Sequence, residues 1–281
     1  MKPSLEQLGD WLGEPLKNCR PIAGGDSHAA YRLEGTQGTF FLKYSPHPEG
    51  AKMLAAEADG LRILATEGGV QVPQLFMQRE AYLLLDFIEQ GQRTKQFWQQ
   101  FGRELARLHS QRPPQFGTGQ ANYIGQLPQA NGKHARWPDF YCQECLLPQL
   151  ELARSQNLLP SSVSASFDRL FPKIGNICPK EPPALVHGDL WAGNFLCNLQ
   201  EEVVFIDPAI SYAHREMDIA MSRLFGGFSP LFYDAYQEAY PLKADFDKRC
   251  GLYQLYYLLV HVNLFGQSYL PSVRKILEDH T

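Results

Sequence analysis

What this 281-residue chain lacks narrows its options first. It has no long basic run, and with a formal net charge of −4 and a pI near 6.1 no nucleic-acid partner is expected. It has no apolar stretch close to the roughly 20 residues that cross a bilayer. The most apolar late segment, 252–265, is interrupted by Gln254, His261 and Asn263. Residues 1–16 carry Glu6, Asp10 and Glu14 and hold no continuous apolar core, unlike a secretory leader. A soluble, cytoplasmic, monomeric protein with no membrane partner is the expectation. The six cysteines follow no disulfide-framework spacing. Cys142 and Cys145 are the only close pair, and nothing at matched spacing completes a zinc site, so reduced thiols are expected. Gly-x-Ser-x-Gly and His-Glu-x-x-His are missing too, which removes two hydrolase signatures.

What is present begins with enough apolar sequence, 44% of the chain, for one large domain or two lobes. Leu5, Leu8, Leu12 and Leu16 recur at helical spacing and predict a short amphipathic helix. Three short strands follow, at 19–23, 29–33 and 39–44. Between the first two lies Gly24-Gly25-Asp26-Ser27, a turn that can lay backbone N–H groups against phosphates or simply close a hairpin. Lys43 ends the third strand, and Glu57 sits in a helical stretch, 50–66. Such a strand lysine, oriented by a helix glutamate, can hold nucleotide phosphates. Two further strands, 74–77 and 82–87, lead to a linker. Asp86, Phe87 and Ile88 stand at that junction. A lobe boundary is placed there, dividing 1–89 from 90–281.

The organising stretch is 184–196, Ala-Leu-Val-His-Gly-Asp-Leu-Trp-Ala-Gly-Asn-Phe-Leu, followed by 203–209, Val-Val-Phe-Ile-Asp-Pro-Ala. Apolar strands broken by a polar loop present side chains from a rigid scaffold. The polar residues left over are Asp189, Asn194 and Asp207. They amount to one candidate base and two oxygen ligands suited to Mg²⁺, which is held by few protein oxygens plus substrate phosphates.

The arrangement resembles the kinase catalytic loop and its metal loop, with Gly188 where protein kinases have arginine and Pro208-Ala209 after the metal aspartate. Asp218, which opens an apolar helix, follows Asp207 by only eleven positions. That leaves no room for an activation segment, so a small-molecule or side-chain acceptor is expected. Asp218 is expected to anchor the catalytic loop from below. Over the whole chain the sequence resembles fructosamine-3-kinase and its ketosamine kinase relatives. The likeness rests on Lys43, Glu57 with Gly60-Leu61, Phe116-Gly117, Asn122-Tyr123-Ile124-Gly125, Gln129, Trp137, His187-Gly188-Asp189-Leu190-Trp191, Asn194, Asp207-Pro208-Ala209, His214-Arg215-Glu216 with Asp218, and Leu224-Phe225-Gly226-Gly227-Phe228.

The resemblance implies an α+β, bilobal, protein-kinase-like fold. A small lobe would hold an antiparallel sheet and one helix, and a larger lobe would be mainly helical. It also implies ATP- and Mg²⁺-dependent phosphorylation of the 3-hydroxyl of ketoamine adducts of lysine, which then break down and free the amine. Asp189 would be the base, Asn194 and Asp207 the metal ligands, and Gly24, Gly25, Lys43, Glu57 and the 86–88 backbone the nucleotide site. Trp191 is either a wall for the sugar or a core aromatic. His214 and Glu216 either reach the substrate or brace the fold. His109 is expected to be packed rather than catalytic. Rival readings are an aminoglycoside or choline kinase and a catalytically dead nucleotide-binding module.

Overall fold

The computed structural model describes residues 4–22 and 28–281. The expected phosphate turn, Gly24 and Gly25 included, therefore lies outside the described residues. Ser4 opens helix α1 (Leu5–Leu12) with a capping box, its hydroxyl accepting from the Gln7 amide while Gln7 accepts from the Ser4 amide. Gly13 closes the helix in the left-handed region at φ 72°. Leu16, assigned by its spacing to this helix, lies past that stop and packs beside Leu8 instead.

Strands β1 (Asn18–Ile22), β2 (Ala29–Glu34) and β3 (Thr39–Tyr44) precede helix α2 (Gly50–Thr66), and β4 (Leu75–Arg79) and β5 (Tyr82–Asp86) follow it. They form one antiparallel sheet in the order β1-β2-β3-β5-β4. Side chains alternate across a strand, and each face here has its own cluster. Leu33, Phe40, Leu42 and Leu84 pack with Leu8 of α1. Leu83 and Leu85, on the opposite face, pack with Leu54, Ala58 and Leu61 of α2. Lys43 pairs in register with Leu83 and so faces α2.

The larger, mainly helical part follows. Thr94 caps α3 (Lys95–His109), which buries Phe97, Phe101, Leu105 and Leu108 on one face as the spacing predicts. The stretch after α3 carries a hairpin, β6 (Asn122–Ile124) with β7 (Leu127–Gln129), and a bridge between Phe116 and His134. Helix α4 (Trp137–Phe140) runs through a π-helical turn at 141–146 into α5 (Leu147–Ser155), then come α6 (Ser161–Leu170) and α7 (Ile174–Ile177). Four three-residue strands, β8 (Ala184–Val186), β9 (Phe195–Cys197), β10 (Val203–Phe205) and β11 (Ser211–Ala213), pair as β9 with β10 and β8 with β11. Helices α8 (Glu216–Leu224), α9 (Pro230–Ala239), α10 (Phe246–Phe265) and α11 (Leu270–His280) complete the fold. Helix α10 is buried on nearly every side, which explains why its sequence shows no clear amphipathic stripe. Among the described residues no helix is long and apolar enough to cross a membrane.

Candidate active site

The loop after β8 is set by one carboxylate. Asp218, on the first turn of α8, accepts the amides of His187 at 2.7 Å and Gly188 at 2.9 Å. It also accepts His109 Nε2–H at 3.1 Å, while the Tyr236 hydroxyl donates to His109 Nδ1 at 2.9 Å. Burial alone would raise this carboxyl, but its hydrogen bonds and the neighbouring histidines hold it below the usual aspartate range. His187 donates through Nε2 to the Ile206 carbonyl at 2.9 Å, tying the loop to the strand that leads to Asp207. Gly188 has φ 85°, and a Cβ there would lie 1.9 Å from the Ala209 carbonyl oxygen. This close approach accounts for glycine between His187 and Asp189.

Three carboxylates and an amide converge past this loop. Asn194 donates through Nδ2 to Asp189 Oδ2 at 2.8 Å and to the Asp189 carbonyl at 2.9 Å. Burial pushes the Asp189 carboxyl up to about 7, and the charges of Asp207 and Asp218 add to that against the Asn194 bond. Asp207 follows β10 with φ 53°, a left-handed conformation uncommon outside glycine. Lys43 reaches both Glu57, at 2.8 Å, and the Asp207 carboxylate. Burial opposes the ammonium, yet the two carboxylates outweigh it and hold Lys43 above the ordinary lysine range. Burial pushes Glu57 the other way, upward. Lys43 is thus shared between Glu57 and Asp207, while Asp189 is bonded to Asn194, and together they form a set of oxygen-bearing groups of the kind that suits a divalent cation. Among the described residues no group of three or more His, Cys, Asp or Glu could hold a metal by itself. Two protein oxygens, from Asn194 and Asp207, with phosphates supplying the rest, is how Mg²⁺ is commonly bound.

Lys43, Glu57, Asp189, Asn194 and Asp207 all line one cavity of about 970 Å³. Asp86, Phe87 and Ile88 also line it. The Asp86 and Phe87 amides are already engaged, with the Gln74 carbonyl at 3.0 Å and the Thr39 carbonyl at 3.2 Å. Both amides are thus committed to strand pairing, which continues through residue 87. Trp191 is a further lining residue, 40% exposed and packed against Gly193.

His214 and Glu216 are not in this cavity. His214 is stacked on Trp137 with ring centroids 4.3 Å apart and bonded to the Tyr253 hydroxyl, and burial lowers its pKa to about 3. Glu216 is fully buried and paired with Arg249 through a 2.7 Å bond. The chain turns inward between β11 and α8, so both brace the core, and the substrate role open to them in the sequence is corrected. Four residues that sequence reasoning did not assign do line the cavity: His28, Asn122, Tyr123 and His261. Asn122-Tyr123 was visible as part of a motif. His261 read only as an interruption of an apolar helix, and no signal marked it.

An antiparallel sheet with one helix, a helical partner and a lysine–carboxylate cleft define a protein-kinase-like phosphotransferase. The aminoglycoside phosphotransferase APH(2'')-Ib, solved with ADP bound, shares this fold at TM-score 0.67 over 98% of this chain and 96% of its own, at 15% identity. The family profile described as fructosamine kinase matches residues 3–281, and the chain belongs to that family. A protein designated a ketoamine kinase in Enterococcus faecium is 40% identical over 265 residues, 92% of this chain and 94% of that one. The chloroplastic protein-ribulosamine 3-kinase of Arabidopsis thaliana is 35% identical, covering 99% of this chain and 88% of its own. A crystal structure designated a fructosamine-3-kinase from Thermobifida fusca superposes with TM-score 0.89 at 31% identity, over 98% of this chain and 97% of that one.

Proposed function

We propose that this kinase transfers the γ-phosphoryl group of ATP to the 3-hydroxyl of ketosamines, the fructosyl- or ribulosyl-type adducts of lysine, and so starts their removal. The observation that carries the reading is the convergence of Lys43, Glu57, Asp189, Asn194 and Asp207 on one cavity. The family supplies the acceptor class.

Asp189 takes the proton of the attacking hydroxyl, whose oxygen bonds to the γ-phosphorus as the bond to the bridging oxygen breaks and ADP departs. Lys43, oriented by Glu57, shifts from Asp207 to the α- and β-phosphates. Asn194 and Asp207 would hold Mg²⁺, which when bound neutralises charge on the phosphates. Of residues 86–88, the Ile88 amide is the donor left for a base. Gly24 and Gly25 belong to the same reading as the cover of the phosphates. Trp191 gives the sugar a flat apolar face. The division at residue 89, a monomeric state and a cytoplasmic setting complete the proposal, supported by the position of the cleft and the mildly acidic composition.

The test is ADP release with MgATP against fructosyl-, ribulosyl- and erythrulosyl-lysine, with kanamycin and choline as rival acceptors. Ketoamine turnover is expected, and Asp189→Asn should lose about 10²–10⁴-fold in kcat with little change in KM. Turnover confined to kanamycin or choline would overturn the acceptor assignment, and silence on all would favour a dead nucleotide-binding module.

A further inference from the structure

The chain after Asp207 raises a mechanical question. A metal ligand held at φ 53° has to be fixed by its surroundings, because a non-glycine residue does not keep that conformation unaided. Protein kinases fix the equivalent loop with an ordered activation segment, and here only eleven residues lead to Asp218.

The β6–β7 hairpin meets the loop directly. Gln129 donates through Nε2 to the Ala209 carbonyl at 3.0 Å and to Asn122 Oδ1 at 2.8 Å, and its Oε1 accepts the Tyr256 hydroxyl of α10 at 2.6 Å. Asn122 and Asn131 donate to the Ile210 carbonyl at 2.8 and 3.0 Å. Asn131 Oδ1 in turn accepts the Ser211 hydroxyl at 2.7 Å. Gln129 and Asn131 are 6% and 2% exposed, so these amides bond inside the protein and not to solvent. From the other side the loop rests on α2, where a Cβ at Gly60 would lie 3.0 Å from Pro208 Cγ. The hairpin also reaches α2, through a 3.3 Å bond from the Tyr123 hydroxyl to Glu49.

We propose that Gln129, with Asn122 and Asn131, is the positioning device of the metal loop. These side-chain amides grip the carbonyls of Ala209 and Ile210 and hold Asp207 ready for a cation at all times, replacing an activation segment that would have to be switched. The inference rests on the reading of Asp207 as a metal ligand. It gives a task to residues of the Asn122–Gln129 motif that no catalytic step uses.

The experiment measures ADP binding by calorimetry with and without Mn²⁺, in the absence of any acceptor. Gln129→Met keeps the volume and removes the donors. It should weaken Mn²⁺-dependent ADP binding by about 10-fold or more, the scale of an outer-shell substitution, and change metal-free ADP binding less than about 2-fold. Equal losses with and without metal, or no loss, would overturn the proposal, since a merely structural role predicts one or the other. Should Gln129→Met not fold, Asn122→Ser removes one donor to Ile210 from a half-buried site and is read by the same ratio, with the same result overturning it. Asp207→Asn separates the two assignments: if it leaves the metal dependence intact, the metal reading falls and the strut falls with it, whereas loss there with an unchanged Gln129→Met ratio refutes the strut alone.

Discussion

Gly188 shows how closely single residues are constrained here. A side chain at this position meets the Ala209 carbonyl at 1.9 Å, and φ is 85°. Both objections apply to alanine, so Gly188→Ala should cost more than about 2 kcal/mol and displace Asp189, seen as a lower Tm together with a fall in kcat. Trp191 is the opposite case, exposed on the cavity and free of a structural role among the buried clusters. Trp191→Ala is expected to raise KM for the ketoamine several-fold while KM for ATP stays level, and steady-state kinetics with each substrate varied in turn would check this. An unchanged ketoamine KM would remove Trp191 from the acceptor site.

At the scale of elements, α3 joins the catalytic strands to the helices behind them. Phe101 is fully buried and its ring lies 4.7 Å from Phe195 of β9, 5.5 Å from Phe205 of β10 and 4.8 Å from Phe232 of α9. Phe101→Ala removes contacts to three elements at once and should destabilise by about 3–5 kcal/mol, measurable by chemical denaturation. The helical spacing that exposed α3 in the sequence worked because one face is polar. The same method gave no stripe for α10, whose faces are nearly all buried, and it stretched α1 past Gly13 because Leu16 happened to fall in phase. Strands β6 and β7, of three residues each, are too short to show an alternation in the sequence.

For the whole molecule, buried neutral histidines link stability to pH. Burial lowers the pKa of His109, and that of His214 to about 3. An unfolded histidine titrates near 6.5, so on acidification the unfolded chain takes up the proton first. The stability His214 provides is therefore complete above about 6.5 and declines down to about 3, by at most about 1.4 kcal/mol per pH unit. Asp189, pushed up to about 7, acts in the opposite sense over this range, so the His214 contribution is read by difference: the Tm of the native sequence relative to that of His214→Phe, which removes the titrating group and keeps a ring against Trp137, should fall between pH 7 and pH 5. A Tm difference independent of pH in this range would show that His214 takes up its proton as readily in the native state as in the unfolded chain.

The sequence by itself determined the kinase-like fold and the family, and it singled out polar residues that the structure brings together at the cleft. Lys43, Glu57, Asp189, Asn194, Asp207 and Asp218 were legible because each sits at fixed spacing beside an apolar strand or helix start, and such local patterns survive without coordinates. Tertiary structure decided which polar residues face the cleft and which are spent inside. His214 and Glu216 share a motif with Asp218 and carry equally suitable chemistry, yet the turn into α8 sends them to Trp137 and Arg249. His28, Asn122, Tyr123 and His261 reach the cavity from distant segments. The strut from Gln129 to Ala209 spans 80 residues of chain. Direction and long-range contact depend on how elements pack against one another, and no spacing within one element encodes that.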